Sequence, residues 1–123
     1  MNRKKILLVD DSATILMMEK MILAKGPYDV LTAVNGEDAV SKALAEHPDM
    51  ILLDVVMPTM DGFEACRRIR GHSATHGTPI IMVTTRGELG NVETGFESGC
   101  NDYVTKPINA AELMAKLRNY LGE

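Results

Sequence analysis

Apolar positions along this chain alternate between two spacings. Five short runs, at residues 5–9, 28–33, 50–53, 79–83 and 102–104, are nearly continuous and of strand length, the pattern of strands covered on both faces. The segments between them carry apolar residues at helical spacing. Ser12 is placed to cap a helix through Lys25, with Ile15, Leu16, Ile22 and Leu23 as apolar positions and Gly26-Pro27 as its stop. Asn35 can cap a second, striped by Ala39, Val40, Ala43 and Leu44 and ended by His47-Pro48. A third runs from Gly62 to Arg70 through Phe63, Cys66 and Ile69. A fourth, Leu89–Ser98, carries Val92 and Phe96 among several glycines, which lower its helical propensity. The last, Ala110–Leu121, has Leu113, Leu117 and Leu121 at i, i+4 spacing.

Five strands alternating with five helices predict an α/β, doubly wound parallel sheet with helices on both faces. Periodicity does not fix the strand order, but five such units match the flavodoxin-like order 2-1-3-4-5, whose ligand crevice lies between the carboxyl ends of strands 1 and 3. Length adds that 123 residues suffice for one domain, so residues 1–123 are expected to form a single unit. An apolar fraction of 46% and a charged fraction of 24% are those of a soluble protein. No apolar run approaches a membrane span. The run after Arg3, Lys4 and Lys5 is too short for a signal peptide. Cys66 and Cys100 stand in no metal or redox spacing. A cytoplasmic location is expected. The net charge of −4 argues against a nucleic-acid surface.

The candidate chemistry lies where the strands stop. The first run ends in Asp10-Asp11, the third in Asp54, the fourth in Thr84 and the fifth in Thr105-Lys106-Pro107. The order 2-1-3-4-5 sets these ends side by side, bringing three carboxylates and one lysine together. Like charges that close repel, and a hard divalent cation with oxygen ligands resolves the conflict. Mg²⁺ is the natural occupant and Mn²⁺ an acceptable substitute. Three aspartates, one lysine and a dication sum to zero, so the site can take an incoming phosphoryl group. A carboxylate is itself a competent nucleophile toward phosphorus and needs alignment more than a proton relay.

Four segments, "LLVDDS", "DMILLDVVMPTMDG", "PIIMVTT" and "DYVTKP", taken in order over essentially the whole chain, closely resemble the signature of the response-regulator receiver domain, the CheY-like phosphoacceptor module of two-component signalling. The resemblance implies that Asp54 accepts phosphate from a histidine kinase or phosphotransfer protein. Asp10, Asp11 and Asp54, with the Val56 backbone carbonyl, would hold the metal. Thr84 would be the switch hydroxyl, Lys106 the cation pairing with the phosphoryl group and Tyr103 the switch aromatic. Lys106-Pro107 would be a cis peptide bond. The output would be a downstream protein bound through the Leu89–Ser98 helix, the strand from Asp102 to Val104 and the Ala110–Leu121 helix, where Glu93, Glu97, Lys116 and Arg118 are expected to be exposed. The chain would be a monomer or a weak phosphorylation-dependent dimer.

Other readings stand beside this one. Asp-Asp-Ser after a strand is also a common helix-capping turn. A degenerate receiver that binds partners without phosphate would need fewer of these residues than are present. An aspartyl-phosphate phosphohydrolase of the haloacid dehalogenase type carries a second aspartate two positions after the nucleophile, where this chain has Val56. His72 and His76, in "GHSATHGTP", lie among loop formers and are not expected to bind metal. Met17, Met18 and Met21 are read as part of a helix surface and core, with simple packing favoured over an adaptable partner surface.

Overall fold

The computed structural model describes residues 3–85 and 89–122. Strands β1 (Lys4–Val9), β2 (Tyr28–Ala33), β3 (Met50–Asp54), β4 (Ile80–Thr85) and β5 (Asp102–Lys106) form one parallel sheet in the order β2-β1-β3-β4-β5. Helices α1 (Ala13–Leu23), α2 (Gly36–Glu46), α3 (Gly62–Arg70), α4 (Leu89–Ser98) and α5 (Ala110–Leu121) connect them. Both the architecture and the strand order match the sequence-based expectation. The sheet separates two cores, as the two-residue period of a strand requires. On one face Leu7, Val9, Ile51, Leu53 and Met82 meet Ala39, Ala43, Cys66 and Ile69 from α2 and α3. On the other, Ile6, Leu8, Leu52, Ile81 and Val104 meet Leu16 and Leu23 of α1 and Leu113 and Leu117 of α5.

Capping residues set where four helices start. Ser12 Oγ accepts from Ile15 N at 3.3 Å, Asn35 Oδ1 from Asp38 N at 2.7 Å, Asp61 Oδ1 from Glu64 N at 2.9 Å and Asn109 Oδ1 from Glu112 N at 2.9 Å. Each satisfies an amide that the helix itself cannot. The first helix ends at Leu23 rather than reaching Lys25, because Gly26 N turns back onto the Leu23 carbonyl at 3.0 Å. The strand ends also differ from the sequence pattern. Polar Asp54, Thr85 and Lys106 continue the ladder, with Asp54 opposite Val83 and Thr85 opposite Lys106. Pro79 falls outside β4, since it has no N–H to donate; its carbonyl accepts from Ile51 N at 2.9 Å.

Two expectations about side chains are corrected. Met17, Met18 and Met21 are 62%, 45% and 65% exposed, so they do not pack into the core; the buried side of α1 is Leu16, Glu19 and Leu23. Lys116 is half-buried and pairs with Asp102 at 2.9 Å, whereas Glu93, Glu97 and Arg118 are exposed. Among the described residues no helix is long and apolar enough to cross a membrane.

Candidate functional site

Strand order determines what meets at the carboxyl edge of the sheet. β1 and β3 are neighbours whose chains leave toward opposite faces, α1 covering one and α3 the other, and this divergence opens a crevice between their ends. Asp10 follows β1 and Asp54 closes β3. One carboxylate oxygen from each of Asp10, Asp11 and Asp54 lies within 4.8 Å of the others. Asp10 and Asp54 are buried, at 1% and 3% exposure, and Asp11 faces solvent.

Lys106, the last residue of β5, reaches into this group. Its Nζ lies 3.0 Å from Asp54 Oδ1 and 3.3 Å from Asp10 Oδ2. The following bond, Lys106-Pro107, is cis, as the family resemblance implied. Burial disfavours the Lys106 ammonium, but pairing with Asp54 and Asp10 outweighs it and holds the lysine above its ordinary range. Burial pushes the Asp54 carboxyl up to about 6, with Asp10 adding to the rise and Lys106 opposing it. Asp54 is therefore mostly ionised at neutral pH.

Backbone contacts hold Asp54 in place. The next residue, Val55, donates to Val83 O at 3.1 Å and accepts from Gly62 N at 2.8 Å. Gly62 packs so closely that a Cβ there would overlap the Asp54 carbonyl oxygen and lie 2.9 Å from Val55 Cα. Gly62→Ala should therefore cost about 1–3 kcal/mol, a typical overpacking penalty, and displace Asp54 from its distance to Lys106. Urea unfolding and a structure of the variant check both effects.

Thr84 is buried on β4, one register step beyond the Asp54–Val83 pair and opposite Thr105. Val56, two residues past Asp54, is 64% exposed. Tyr103 is half-buried on β5 and meets Phe96 of α4 edge-on, with ring centroids 6.1 Å apart at 85°. His76 lies apart from the site, with Nδ1 2.9 Å from Arg70 O.

One residue near the site was not singled out from sequence. Glu19, on the buried side of α1, is 1% exposed, and its Oε1 has no hydrogen-bond partner among the described residues. Burial, reinforced by Asp10, pushes its carboxyl up to about 8, so it is largely neutral at pH 7. The signal was its place three residues after Leu16 and four before Leu23, a charged type on an apolar stripe.

A divalent cation fits this donor set. The ligands are hard carboxylate oxygens, and Asp10 Oδ2 is sealed from solvent without a well-directed hydrogen bond despite its nearness to Lys106. With Glu19 neutral, three aspartates and Lys106 leave two negative charges, which a dication would balance.

Comparison with known proteins agrees with this geometry. The family model described as "Response regulator receiver domain" matches residues 6–118. The chain is 43% identical over 120 residues to the transcriptional regulatory protein ResD of Bacillus subtilis, an alignment covering 98% of this chain and 49% of ResD. It spans about half the length of the curated relatives it matches. Among solved structures, the chemotaxis response regulator CheY4 of Vibrio cholerae superposes with a TM-score of 0.90 at 35% identity, covering 97% of this chain and 99% of that one. The receiver domain of sensor histidine kinase PA1611 from Pseudomonas aeruginosa, with a magnesium ion coordinated in its active-site cleft, gives 0.91 at 33% identity, covering 99% of this chain and 100% of that one.

Proposed function

This chain belongs to the response regulator receiver domain family of two-component signalling, and from that premise we propose that Asp54 is its phosphoacceptor. The observation that carries the reading is the buried Asp54 carboxylate, 3.0 Å from Lys106 and within 4.8 Å of the Asp10 and Asp11 carboxylates. In the proposed reaction an Asp54 carboxylate oxygen attacks the phosphorus of a phosphohistidine. The new O–P bond forms as the P–N bond breaks, and the imidazole leaves with the bonding pair. Lys106 moves from carboxylate to phosphoryl oxygen, and the Thr84 hydroxyl donates to another. Asp10, Asp11, Asp54 and the Val56 carbonyl would hold Mg²⁺, or Mn²⁺ in its place. When bound, the ion supplies charge neutralisation for the transferring group.

The donor is a histidine kinase or phosphotransfer protein. The output is a downstream protein that docks on α4, β5 and α5 and responds to Thr84 and Tyr103. Residues 1–123 act as one domain, cytoplasmic and making no nucleic-acid contact of its own, monomeric or weakly dimeric when phosphorylated. The relatives' regulatory output would belong to a part of such proteins beyond the matched half.

Incubation with Mg²⁺ and acetyl phosphate should add one phosphoryl group to the intact mass, and excess EDTA should abolish the gain. Labelling that persists in EDTA would contradict the metal requirement, and no labelling at all would overturn the reading.

Lifetime offers a further check. Hydrolysis needs a water held in line behind phosphorus, and the apolar, exposed Val56 cannot orient one. The acyl phosphate should last minutes to hours, and Val56→Asn should shorten it about tenfold, equivalent to about 1.4 kcal/mol. Decay after rapid removal of the donor measures both. Arg86, two residues past Thr84 and a candidate either to obstruct the approaching water or to stabilise charge, with obstruction favoured, lies outside the described residues.

A further inference from the structure

Arg70, the last residue of α3, carries a hydrogen-bond set unrelated to the phosphoacceptor site. Its Nε donates to Gly99 O at 2.8 Å, Nη1 to Thr78 O at 2.6 Å and Thr75 O at 3.3 Å, and Nη2 to Asn101 Oδ1 at 2.7 Å. Among the described residues no carboxylate lies at ion-pair distance from it. All these acceptors are neutral, so the guanidinium acts through direction rather than charge matching, in bonds about twice as strong as neutral ones. Asn101 is in turn fixed to the first residue of β4: its Oδ1 accepts from Ile80 N at 2.8 Å, and its N donates to Ile80 O at 2.8 Å.

These contacts gather the C-terminal end of α4 at the edge of the sheet opposite Asp54. β4 runs from Ile80, at that edge, to Thr84 and Thr85 at the site, and α4 returns from Leu89 to Ser98. Gly99 stops the helix at φ +109°, and a Cβ there would lie 2.8 Å from Arg70 Cγ. Only glycine lets the arginine stem cross the helix end. The last turn is further closed by Cys100 N to Gly95 O at 3.1 Å and Ser98 Oγ to Gly95 O at 2.7 Å.

We infer that Arg70 is a fixed pivot for α4: it clamps the end of the helix far from the site, so that a displacement arising at Thr84 swings the near end instead of shifting the whole helix. The inference rests on the proposed role of Thr84 in signal output. A swing about Gly99 moves the first turns of α4 most and displaces Phe96, one turn from the pivot, least, leaving Tyr103 on β5 free to respond by its own rotamer.

Amide exchange of the chain with Mg²⁺, with and without beryllofluoride, tests this, with fluorine resonances reporting that the probe is bound. In the native chain, protection of residues 89–94 should change about tenfold while that of residues 95–100 stays within about twofold. In Arg70→Met the change should spread through residues 95–100, and Arg70→Lys, whose ammonium cannot span all the acceptors, should be intermediate. A purely structural arginine would lower protection equally with and without the probe, leaving the difference between the two states confined as in the native chain, and that result overturns the pivot. So does a native response that already covers residues 95–100, which decides the matter even if Arg70→Met does not fold. Failure of beryllofluoride to bind overturns the site reading and the pivot with it. Binding without any change in residues 89–104 overturns the Thr84 output route alone, and hence the pivot, leaving Asp54 as acceptor.

Discussion

Asp54→Asn should abolish phosphoryl uptake from acetyl phosphate and, in the same molecule, raise the stability of the metal-free protein by roughly 1–2 kcal/mol. The loss follows because an amide oxygen is a poor nucleophile toward phosphorus and no other aspartate at the site is both buried and paired with Lys106 as closely. The gain follows because the Asp54 carboxyl is pushed up to about 6 by burial, with the nearby Asp10 charge adding to the rise, so its ionisation at pH 7 opposes folding. A rise of about two pKa units corresponds to roughly 3 kcal/mol, and loss of the Lys106 pair offsets part of it. Intact mass and urea unfolding at pH 7 in EDTA check the two halves. Undiminished labelling of the variant would remove Asp54 from its role, and a less stable variant would mean that Lys106 depends on it more than it costs.

The second large effect belongs to Glu19. Its carboxyl rises from an ordinary 4.5 to about 8 on folding, so between those values the native state holds a proton that the unfolded chain has lost. The stabilisation is complete below pH 4.5 and disappears as pH climbs through about 8, with a slope of up to about 1.4 kcal/mol per pH unit. The raised Asp54 carboxyl acts in the same direction over the lower window, from 3.8 to about 6. The metal-free protein should therefore lose about 3–5 kcal/mol between pH 5 and pH 8. Glu19→Gln should flatten the upper part of that slope, matching the native chain near pH 5 and exceeding it at pH 8. Urea midpoints in EDTA across this range give the answer. A native profile that is flat, or an equally steep one in Glu19→Gln, would show that the buried carboxyl finds a compensating partner.

Glu19 also marks the limit of what the sequence reveals. The strand runs were legible because burial on both faces imposes an unbroken apolar pattern, and two helix starts because Ser12 and Asn35 cap through local hydrogen bonds; the sheet order came only from matching five strand–helix units to the flavodoxin-like arrangement. Asp10, Asp54 and Lys106 were legible once that order was assumed, since each stands at a strand end. Glu19 was not. It lies on α1 with no spacing to the strand ends, and only tertiary packing brings its carboxyl under the influence of Asp10. The methionines failed for the converse reason. Met17, Met18 and Met21 have the hydrophobicity of core residues but fall on the solvent side of the helix, and composition carries no phase. Arg70 was invisible for a third reason: its acceptors are carbonyls and one amide, which sequence does not distinguish from any others.

The pairing of β1 has a consequence for the chain as it leaves the ribosome. β1 is flanked on one side by β2 and on the other by β3, with Ile6 opposite both Val30 and Met50. Neither edge can be satisfied until residues far along the chain have emerged, so Ile6–Leu7–Leu8–Val9 waits as an apolar segment with open backbone groups, the kind that recruits a second copy of itself. Arg3, Lys4 and Lys5 stand immediately before it and supply the repulsion that discourages such pairing. Once β2 and β3 arrive, Arg3 bonds to Asp29 at 2.7 Å and Lys5 lies 3.5 Å from Glu46. Two of the charges that guard the nascent strand thus end as ties, Arg3 to β2 and Lys5 to the end of α2, the helix that leads into β3.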